Sequence, residues 1–503
     1  MLAAVSTFAL VGLDATSVTV EADIQTGLPA FAIVGLPDAA VQESRERVRA
    51  AIINCGFEFP LRRITVNLAP ADLRKAGPGF DLALGAAILA ASGQVKGDLL
   101  SGYAICGELG LDGSIRPIRG ALAIADSARR DGYTGLVLPR DNVAEASLIS
   151  GLDVVGIDRM RELEQFLAGA WRPPQPELEP EEILSELPVE QNDFAEVHGH
   201  HSVKRALEVA AAGGHNVLLI GPPGSGKSML ARRMPTILPP MSLDEALDVT
   251  RVHSVAGLLR GDALVARRPF RAPHHSITSA GLIGGGRPPS PGEMSLAQHG
   301  VLFLDELPEF RQTTLDALRQ PLEDGFISLT RAQRTVRFPA NFMLVAAANP
   351  CPCGNRGDPK RVCDCQTGTI ARHLVRLSGP FIDRIDITLN VGTPPRSELM
   401  SDEPRQKSAE IRARVVGARR RQAERFVGSA ARCNADLKGA QLRRSCTLAP
   451  EARTTLHNAH AQVRLTGRGH FGVLRVARTI ADLEGRDRIE SKDVAEAVGY
   501  RAS

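Results

Sequence analysis

The stretch NVLLIGPPGSGKSMLARRM, residues 216–234, decides the fold. The apolar run after Asn216 is typical of a short buried strand, and the segment after the glycines is typical of a helix. Between them, GPPGSGKS fits the pattern G-x-x-x-x-G-K-[ST], which forms a phosphate-binding loop when it joins a strand to a helix. A glycine-rich turn without a ligand is the alternative, but the strand, loop and helix stand in the order that the motif requires.

Each residue type in this loop has a chemical reason. The glycines allow a tight turn whose amide N–H groups point at phosphate, and the following helix N-terminus favours negative charge. Lys227 is predicted to reach the β- and γ-phosphates, and Ser228 to bind Mg²⁺. The predicted loop consists of Gly221, Pro222, Pro223, Gly224, Ser225, Gly226, Lys227 and Ser228.

An acidic pair follows a second apolar run in GVLFLDELPEF, residues 300–310. A buried strand that ends in Asp305 and Glu306 suits Mg²⁺ coordination by the first acid and polarisation of an attacking water by the second. Surface acids at a strand end are the alternative. The phosphate-binding loop upstream favours the catalytic interpretation.

Two further polar residues follow in order. Asn349 ends the run NFMLVAAANP and is predicted to orient water beside the γ-phosphate, the alternative being a turn before Pro350. Arg384 lies in SGPFIDRIDITLNV, residues 378–391, and could neutralise charge on a phosphoryl group bound by a neighbouring subunit. A structural ion pair with Asp383 or Asp386 is the alternative for Arg384.

The bulk composition limits the class of protein. The chain has 503 residues, 43% hydrophobic and 23% charged, with a formal net charge of +3. We expect two to four domains, and any nucleic-acid role has to come from local patches. The N-terminus lacks the basic region of a signal peptide, and no apolar run reaches the length of a membrane span. We therefore expect a cytoplasmic protein with reduced cysteines.

The pattern of elements predicts an α/β protein with a parallel-sheet core. Strand-like and helix-like stretches alternate over 1–170, and an acidic, proline-rich linker follows over 171–196. Strand, loop and helix repeat over 197–395, and helical patterns dominate over 396–503. The basic helix pattern over 405–425 could grip a phosphate backbone or could be an ordinary solvated face.

One family resemblance is specific. The stretch RPFRAPHHSITSAGLIGGGRPPSPGEMSLAQHGVLFLDELPEF, residues 268–310, resembles the signature of the magnesium-chelatase-like AAA+ ATPases, in their ComM/YifB branch. NPCPCG, SGPFIDRIDI and LRVARTIADLEG continue the match. The resemblance implies an AAA+ core with a C-terminal helical lid, ATP with Mg²⁺, and a homo-hexamer with ATP at the subunit interfaces. For the ComM branch it also implies movement on single-stranded or branched DNA, namely branch migration in natural transformation.

The resemblance assigns roles to further residues. It makes Arg384 the arginine finger and Arg478 the second sensor, with Arg475 as its rival one helical turn away. It also implies an insertion in the second helix over about 255–300, in which His274, His275 and Arg287 are candidate DNA contacts. The paired histidines could instead bind metal or have a structural role in the insertion.

Residues 1–170 resemble the Lon protease domain, an α+β fold of the S5 domain 2-like type. Where that family has its nucleophilic serine, this chain reads Gly79-Phe80, and the helix that should carry the lysine reads Ala121-Leu122-Ala123. A Ser–Lys mechanism needs both groups, so we expect no protease activity. A magnesium chelatase ATPase subunit and an ATP-dependent protease are the alternatives to a DNA motor.

Four of the eight cysteines lie within NPCPCGNRGDPKRVCDC, residues 349–365. Cys351, Cys353, Cys363 and Cys365 form two C-x-C pairs, a tighter spacing than structural zinc sites usually have. Structural zinc, free reduced thiols and redox sensing are the three interpretations, in decreasing order of preference. With zinc bound, the site would brace a loop beside the nucleotide and leave no open position for catalysis.

Overall fold

The computed structural model describes residues 1–95, 100–174, 179–185, 192–259, 261–286, 288–331, 334–357, 361–375, 381–394, 398, 405–463 and 465–501. Its centre is a mixed α/β arrangement in which a parallel sheet carries helices and a helical C-terminal region, as predicted. Among the described helices, none is long and apolar enough to cross a membrane.

The N-terminal part is built on a mixed sheet of seven described strands. The first two form a long antiparallel hairpin in which alternate side chains are buried. The strands lie in the order Ala30–Val34, Arg63–Ala69, Asp14–Gln25, Leu2–Val11, Tyr103–Ile105, Gly135–Pro139 and Asp153–Ile157, and a short ribbon pairs Glu108–Leu109 with Ile115–Arg116. The helices of this part are Ala39–Asn54, Asp81–Ala91, Ala121–Arg130, Val143–Ala146 and Met160–Leu167.

The core sheet has five described strands, all parallel. Their order is Phe270–Arg271, Val301–Leu304, Met343–Ala348, Val217–Ile220 and Ile387–Asn390. The central strand, Met343–Ala348, is buried along its whole length because helices cover both faces of the sheet. All five strands run the same way, so their carboxyl ends meet at one edge and their amino ends at the other.

Helices and two ribbons surround this sheet. The helices are Pro180–Ser185, His201–Gly213, Lys227–Arg232, Met234–Ile237, Leu243–Ala256, Ser279–Ile283, Glu293–Leu296, Gln312–Asp316, Arg319–Asp324 and Thr367–Val375. The ribbons pair Gly284–Gly285 with Ser290–Pro291, and Phe326–Arg331 with Arg334–Pro339. The second ribbon has no counterpart in the sequence prediction.

The range predicted as an insertion, 255–300, is narrower in the structure. Leu243–Ala256 is a continuous helix, and Phe270–Arg271 is a strand of the core sheet. The segment that connects the core strands Phe270–Arg271 and Val301–Leu304 therefore spans residues 272–300. A two-residue strand is too short for a periodic sequence pattern, so the sequence prediction did not separate it from the insertion.

The C-terminal helices pack on the core through the helix His201–Gly213. They are Ser408–Arg425, Gly439–Ser445, Pro450–Val463, Gly467–Leu483 and Ser491–Gly499. The arginines of the first of these helices do part of this packing. Arg419 Nη2 donates to the carbonyl of Ala211 at 3.0 Å, Arg414 pairs with Glu208, and Arg425 Nη1 bonds Asp482 at 3.0 Å. These three side chains hold the helical region to the core and to itself.

Candidate nucleotide site

The phosphate-binding loop joins the core strand Val217–Ile220 to the helix Lys227–Arg232. Gly224 and Gly226 have φ values of 78° and 88°, a conformation that other residues rarely adopt. At Gly221, a Cβ atom would lie 2.1 Å from the carbonyl oxygen of Val391. The loop therefore needs glycine at these positions for backbone reasons, as the motif predicts.

Lys227 lies folded into the loop. Its Nζ donates to the carbonyls of Gly221 and Pro222 at 2.7 and 2.9 Å, and to Asn349 Oδ1 at 3.2 Å. Burial lowers the pKa of Lys227, against the opposing pull of Asp305. The ammonium is thus held between the loop and the neighbouring strand, where phosphate oxygens would meet it.

Ser228 and the acidic pair form the second part of the site. Ser228 Oγ donates to Asp305 Oδ2 at 2.6 Å, which joins a hydroxyl and a carboxylate in the combination that Mg²⁺ prefers. Glu306 follows with φ at 52°, an uncommon conformation for a residue with a side chain. The Glu306 side chain is exposed.

Asn349 completes this edge. It follows the strand Met343–Ala348, which lies between the strand that precedes the loop and the strand Val301–Leu304, which precedes Asp305. Its amide oxygen accepts the bond from Lys227, and its backbone carbonyl bonds His373 Nε2 at 3.0 Å. The structure therefore brings the loop, Asp305, Glu306 and Asn349 together at the carboxyl edge of one sheet.

The paired histidines also come to this edge. His275 Nδ1 lies 3.2 Å from Glu306 Oε2, and the rings of His274 and His275 are 4.0 Å apart. His274 Nδ1 bonds Ser276 Oγ at 2.8 Å. No sequence pattern predicted the contact with Glu306, because Glu306 lies 31 residues after His275. The third candidate, Arg287, lies outside the described residues.

Arg384 lies at the opposite edge of the sheet. It precedes the strand Ile387–Asn390, in which Asn390 is the register partner of Ile220 at the start of the loop. A parallel strand of four residues is about 13 Å long, so Arg384 stands far from the phosphate-binding loop of its own chain. Its Nη2 donates to Glu323 Oε1 at 2.6 Å.

The two rival arginines have different surroundings. Arg475 Nη2 pairs with Asp386 Oδ1 at 3.1 Å and lines the same cleft as Arg384, which has a volume of about 1200 Å³. Burial alone would raise the pKa of Asp386, but Arg475 and His215 hold it at about 2. Arg478 is fully buried, and its guanidinium bonds the carbonyl of Asp487 at 2.6 Å and Asp482 Oδ1 at 3.0 Å. The structure brings neither arginine to the loop of its own chain.

The four cysteines of 349–365 lie together directly beyond Asn349. Their Sγ atoms are all within 4.8 Å of one another. The sequence prediction of a cluster is therefore matched by the geometry, and the residues between the pairs include 358–360, outside the described part of the chain.

Parallel strands present a phosphate-binding loop, an acidic pair and a polar residue at one edge of the sheet, and a helical region packs on the core. This combination defines a P-loop nucleotide hydrolase core. Comparison with known proteins then gives the family. A model described as "Magnesium chelatase, subunit ChlI" matches residues 193–399, one described as "Subunit ChlI of Mg-chelatase" matches 20–142, and the corresponding C-terminal model matches 405–501.

Full-length relatives agree with these matches. The chain is 44% identical over 496 residues to an uncharacterised protein of Mycobacterium tuberculosis, with 97% of this chain and 96% of the relative covered. It is 43% identical over 503 residues to the uncharacterised protein YifB of Escherichia coli, covering 100% and 97%. It is 42% identical over 512 residues to the competence protein ComM of Haemophilus influenzae, also covering 100% and 97%. The chain belongs to the magnesium-chelatase-like AAA+ family of ComM and YifB, and this membership implies ATP and Mg²⁺ as its ligands.

Proposed function

We propose that this protein is an ATP-driven motor that acts on DNA as a hexameric ring, in the manner that the resemblance to ComM implies. The division of the charged groups between two edges of one sheet carries this proposal. One copy presents the loop and Glu306 at the carboxyl edge, and it presents Arg384 and Arg475 at the amino edge. A complete site then needs the amino edge of a neighbouring copy, which a closed ring supplies to every subunit.

The residues at the carboxyl edge have separate roles in this proposal. The loop amides and Lys227 bind the triphosphate, with Lys227 leaving its present carbonyl partners. Ser228 and Asp305 hold Mg²⁺, which neutralises charge on the phosphates. Glu306 polarises the attacking water, and Asn349 orients it. Arg384 of the neighbouring copy stabilises the charge that develops in transfer, and Arg475 or Arg478 acts as second sensor.

The ribbon of Phe326–Arg331 and Arg334–Pro339 supports DNA as the partner. Arg331 and Arg334 are the last described register partners of the ribbon, and the ribbon leads directly into the strand Met343–Ala348, which precedes Asn349. Its base is fixed, since Phe338 is buried and Arg337 lies over the ring of Phe326 at 4.9 Å. Arginine at these two positions of the sequence would suit contacts with a phosphate backbone, and a shift of the ribbon would reach the nucleotide site through that strand.

Strand exchange on a synthetic four-way junction tests the proposal. We expect wild type to hydrolyse ATP faster with DNA present and to exchange strands, and Lys227→Ala to do neither. We expect Arg331→Ala/Arg334→Ala to keep basal hydrolysis, to lose most DNA stimulation, and to lower the salt dependence of binding by about two phosphate contacts. Arg453→Ala, an exposed arginine on the helix Pro450–Val463, is the control. Wild type that binds the junction and hydrolyses ATP without exchanging strands would contradict a motor on DNA.

A chelatase ATPase subunit is the second candidate, favoured by the description of the matching family models. It shares the nucleotide site and the ring, so hydrolysis alone does not separate it from the DNA motor. DNA stimulation that fades with rising salt favours the motor. Indifference to DNA, together with ATP-dependent metal insertion into a porphyrin by a complex that contains this protein, would favour the chelatase.

A further inference from the structure

Four sulfur atoms meet beside the nucleotide site. Cys351 Sγ lies 3.4 Å from Cys353 Sγ and 3.7 Å from Cys363 Sγ, and Cys353 and Cys363 are also 3.7 Å apart. Cys365 completes the group within 4.8 Å of the other three. All four are free cysteines, since a disulfide would need a separation near 2.05 Å.

These separations fit one metal ion. Zn²⁺ binds thiolate at about 2.3 Å in a tetrahedron, so two ligand sulfurs should stand about 3.8 Å apart. The separations of 3.4 and 3.7 Å are close to that edge length. A soft, four-sulfur tetrahedral set is the donor set that zinc prefers, and it leaves no position for a water or substrate.

We propose that Cys351, Cys353, Cys363 and Cys365 bind one Zn²⁺ as four thiolates, and that this closed site fixes Asn349 against the phosphate-binding loop. The second half of the proposal rests on the role of Asn349 in the proposed function. The first half stands on the sulfur geometry alone.

The contacts around the cluster show how the site would act. Cys351 is buried two residues beyond Asn349. At Gly354, a Cβ atom would lie 2.5 Å from Cδ of Pro223, so this backbone packs directly on the phosphate-binding loop. Cys365 leads into the helix Thr367–Val375, whose His373 bonds the carbonyl of Asn349. The metal would therefore hold the segment after Asn349, the phosphate-binding loop and the helix Thr367–Val375 in place around Asn349.

Metal analysis of the full-length protein tests the site itself. We expect one zinc per chain in wild type and in Cys55→Ser, a half-buried cysteine of the N-terminal part, and a loss of zinc in Cys351→Ser/Cys363→Ser. Wild type refolded or exchanged with Co²⁺ should show the visible bands of tetrahedral thiolate coordination. Absence of zinc from wild type, iron in its place, or two disulfides in the native protein would overturn the proposal.

Hydrolysis tests the consequence. We expect the double variant to bind a fluorescent ADP analogue within about threefold of wild type, and to lose about tenfold or more in kcat, because Asn349 is no longer held in place. A zinc-free variant with wild-type kcat would refute the bracing role while leaving the metal site intact. If wild type itself does not hydrolyse ATP, the proposed function fails and the metal analysis still decides the site. Thermal unfolding of each variant shows whether the fold persists.

Discussion

The two edges of the core sheet differ in what their charged groups contact. At the carboxyl edge, Lys227 contacts Asn349, and Ser228 contacts Asp305, so the predicted site residues bind one another. At the amino edge, Arg384 and Arg475 are paired with Glu323 and Asp386, which belong to no predicted site. Sheet topology alone assembles the first edge. At the second edge, acids of the same chain pair with the arginines that the proposal assigns to the site of a neighbouring copy.

The largest expected effect comes from Arg384→Ala. Removal of the guanidinium should lower kcat for ATP by about 10³-fold, since an arginine finger contributes on that scale, while nucleotide binding persists at the intact carboxyl edge. Steady-state hydrolysis measures the loss at the amino edge, and binding of a fluorescent ATP analogue measures whether the carboxyl edge is intact. Arg468→Ala is the matched control, because Arg468 pairs with the same Glu323 at 2.9 Å. Full activity in Arg384→Ala would remove the distinction between the edges.

Mixing two inactive variants sharpens the comparison further. Arg384→Ala keeps an intact carboxyl edge, and Glu306→Gln keeps an intact amino edge. In randomly mixed rings, about a quarter of the sites should then combine two intact edges and recover hydrolysis. Glu309→Gln, an exposed acid three residues away, should be active by itself. A mixture as inactive as its components would show that Arg384 serves its own chain or no nucleotide at all.

A third prediction separates the rival second sensors. Arg475→Lys should lower hydrolysis by about tenfold with little effect on unfolding, because it keeps a charge near Asp386 and loses only the fork of donors. Arg478→Lys should instead lower the free energy of unfolding by about 2 kcal/mol, because buried bonds to Asp487 and Asp482 are lost. Chemical denaturation and hydrolysis per folded molecule measure the two effects. The reverse pattern would restore Arg478 as the sensor.

The sequence predicts the carboxyl edge better than the amino edge for a physical reason. Strand-ending residues such as Asp305 and Asn349 follow apolar runs, and parallel strands bring such ends together whatever the loops do. At the amino edge, the packing of the helix Gly467–Leu483 on the core decides which of its arginines faces Asp386. Arg475 and Arg478 are one turn apart, so periodicity alone could not separate the half-buried arginine from the fully buried one.

Contacts that depend on the path of a loop could not be predicted from the sequence either. The approach of His275 to Glu306 depends on the path of 272–300, and the partner of Arg384, Glu323, lies 61 residues upstream. The cysteines are the intermediate case. Their spacing indicated a cluster, but only the folded loop shows that four sulfurs lie within 4.8 Å of one another and that three of them are separated by close to the edge length of a zinc tetrahedron.

The smallest expected effect concerns the contact between His275 and Glu306 at the carboxyl edge. The proposed function needs the carboxylate of Glu306 to polarise water, and the contact with His275 competes with that role. His275→Ala should raise basal hydrolysis by up to about fivefold, since an exposed pair of this kind is worth no more than about 1 kcal/mol. His274→Ala is the matched control, because it leaves the contact with Glu306 in place. Hydrolysis without and with DNA measures the effect, and stimulation by DNA should shrink as the basal rate rises. A lower basal rate in His275→Ala would instead make His275 a residue that positions Glu306 for reaction, and the carboxyl edge would then be complete in the resting chain.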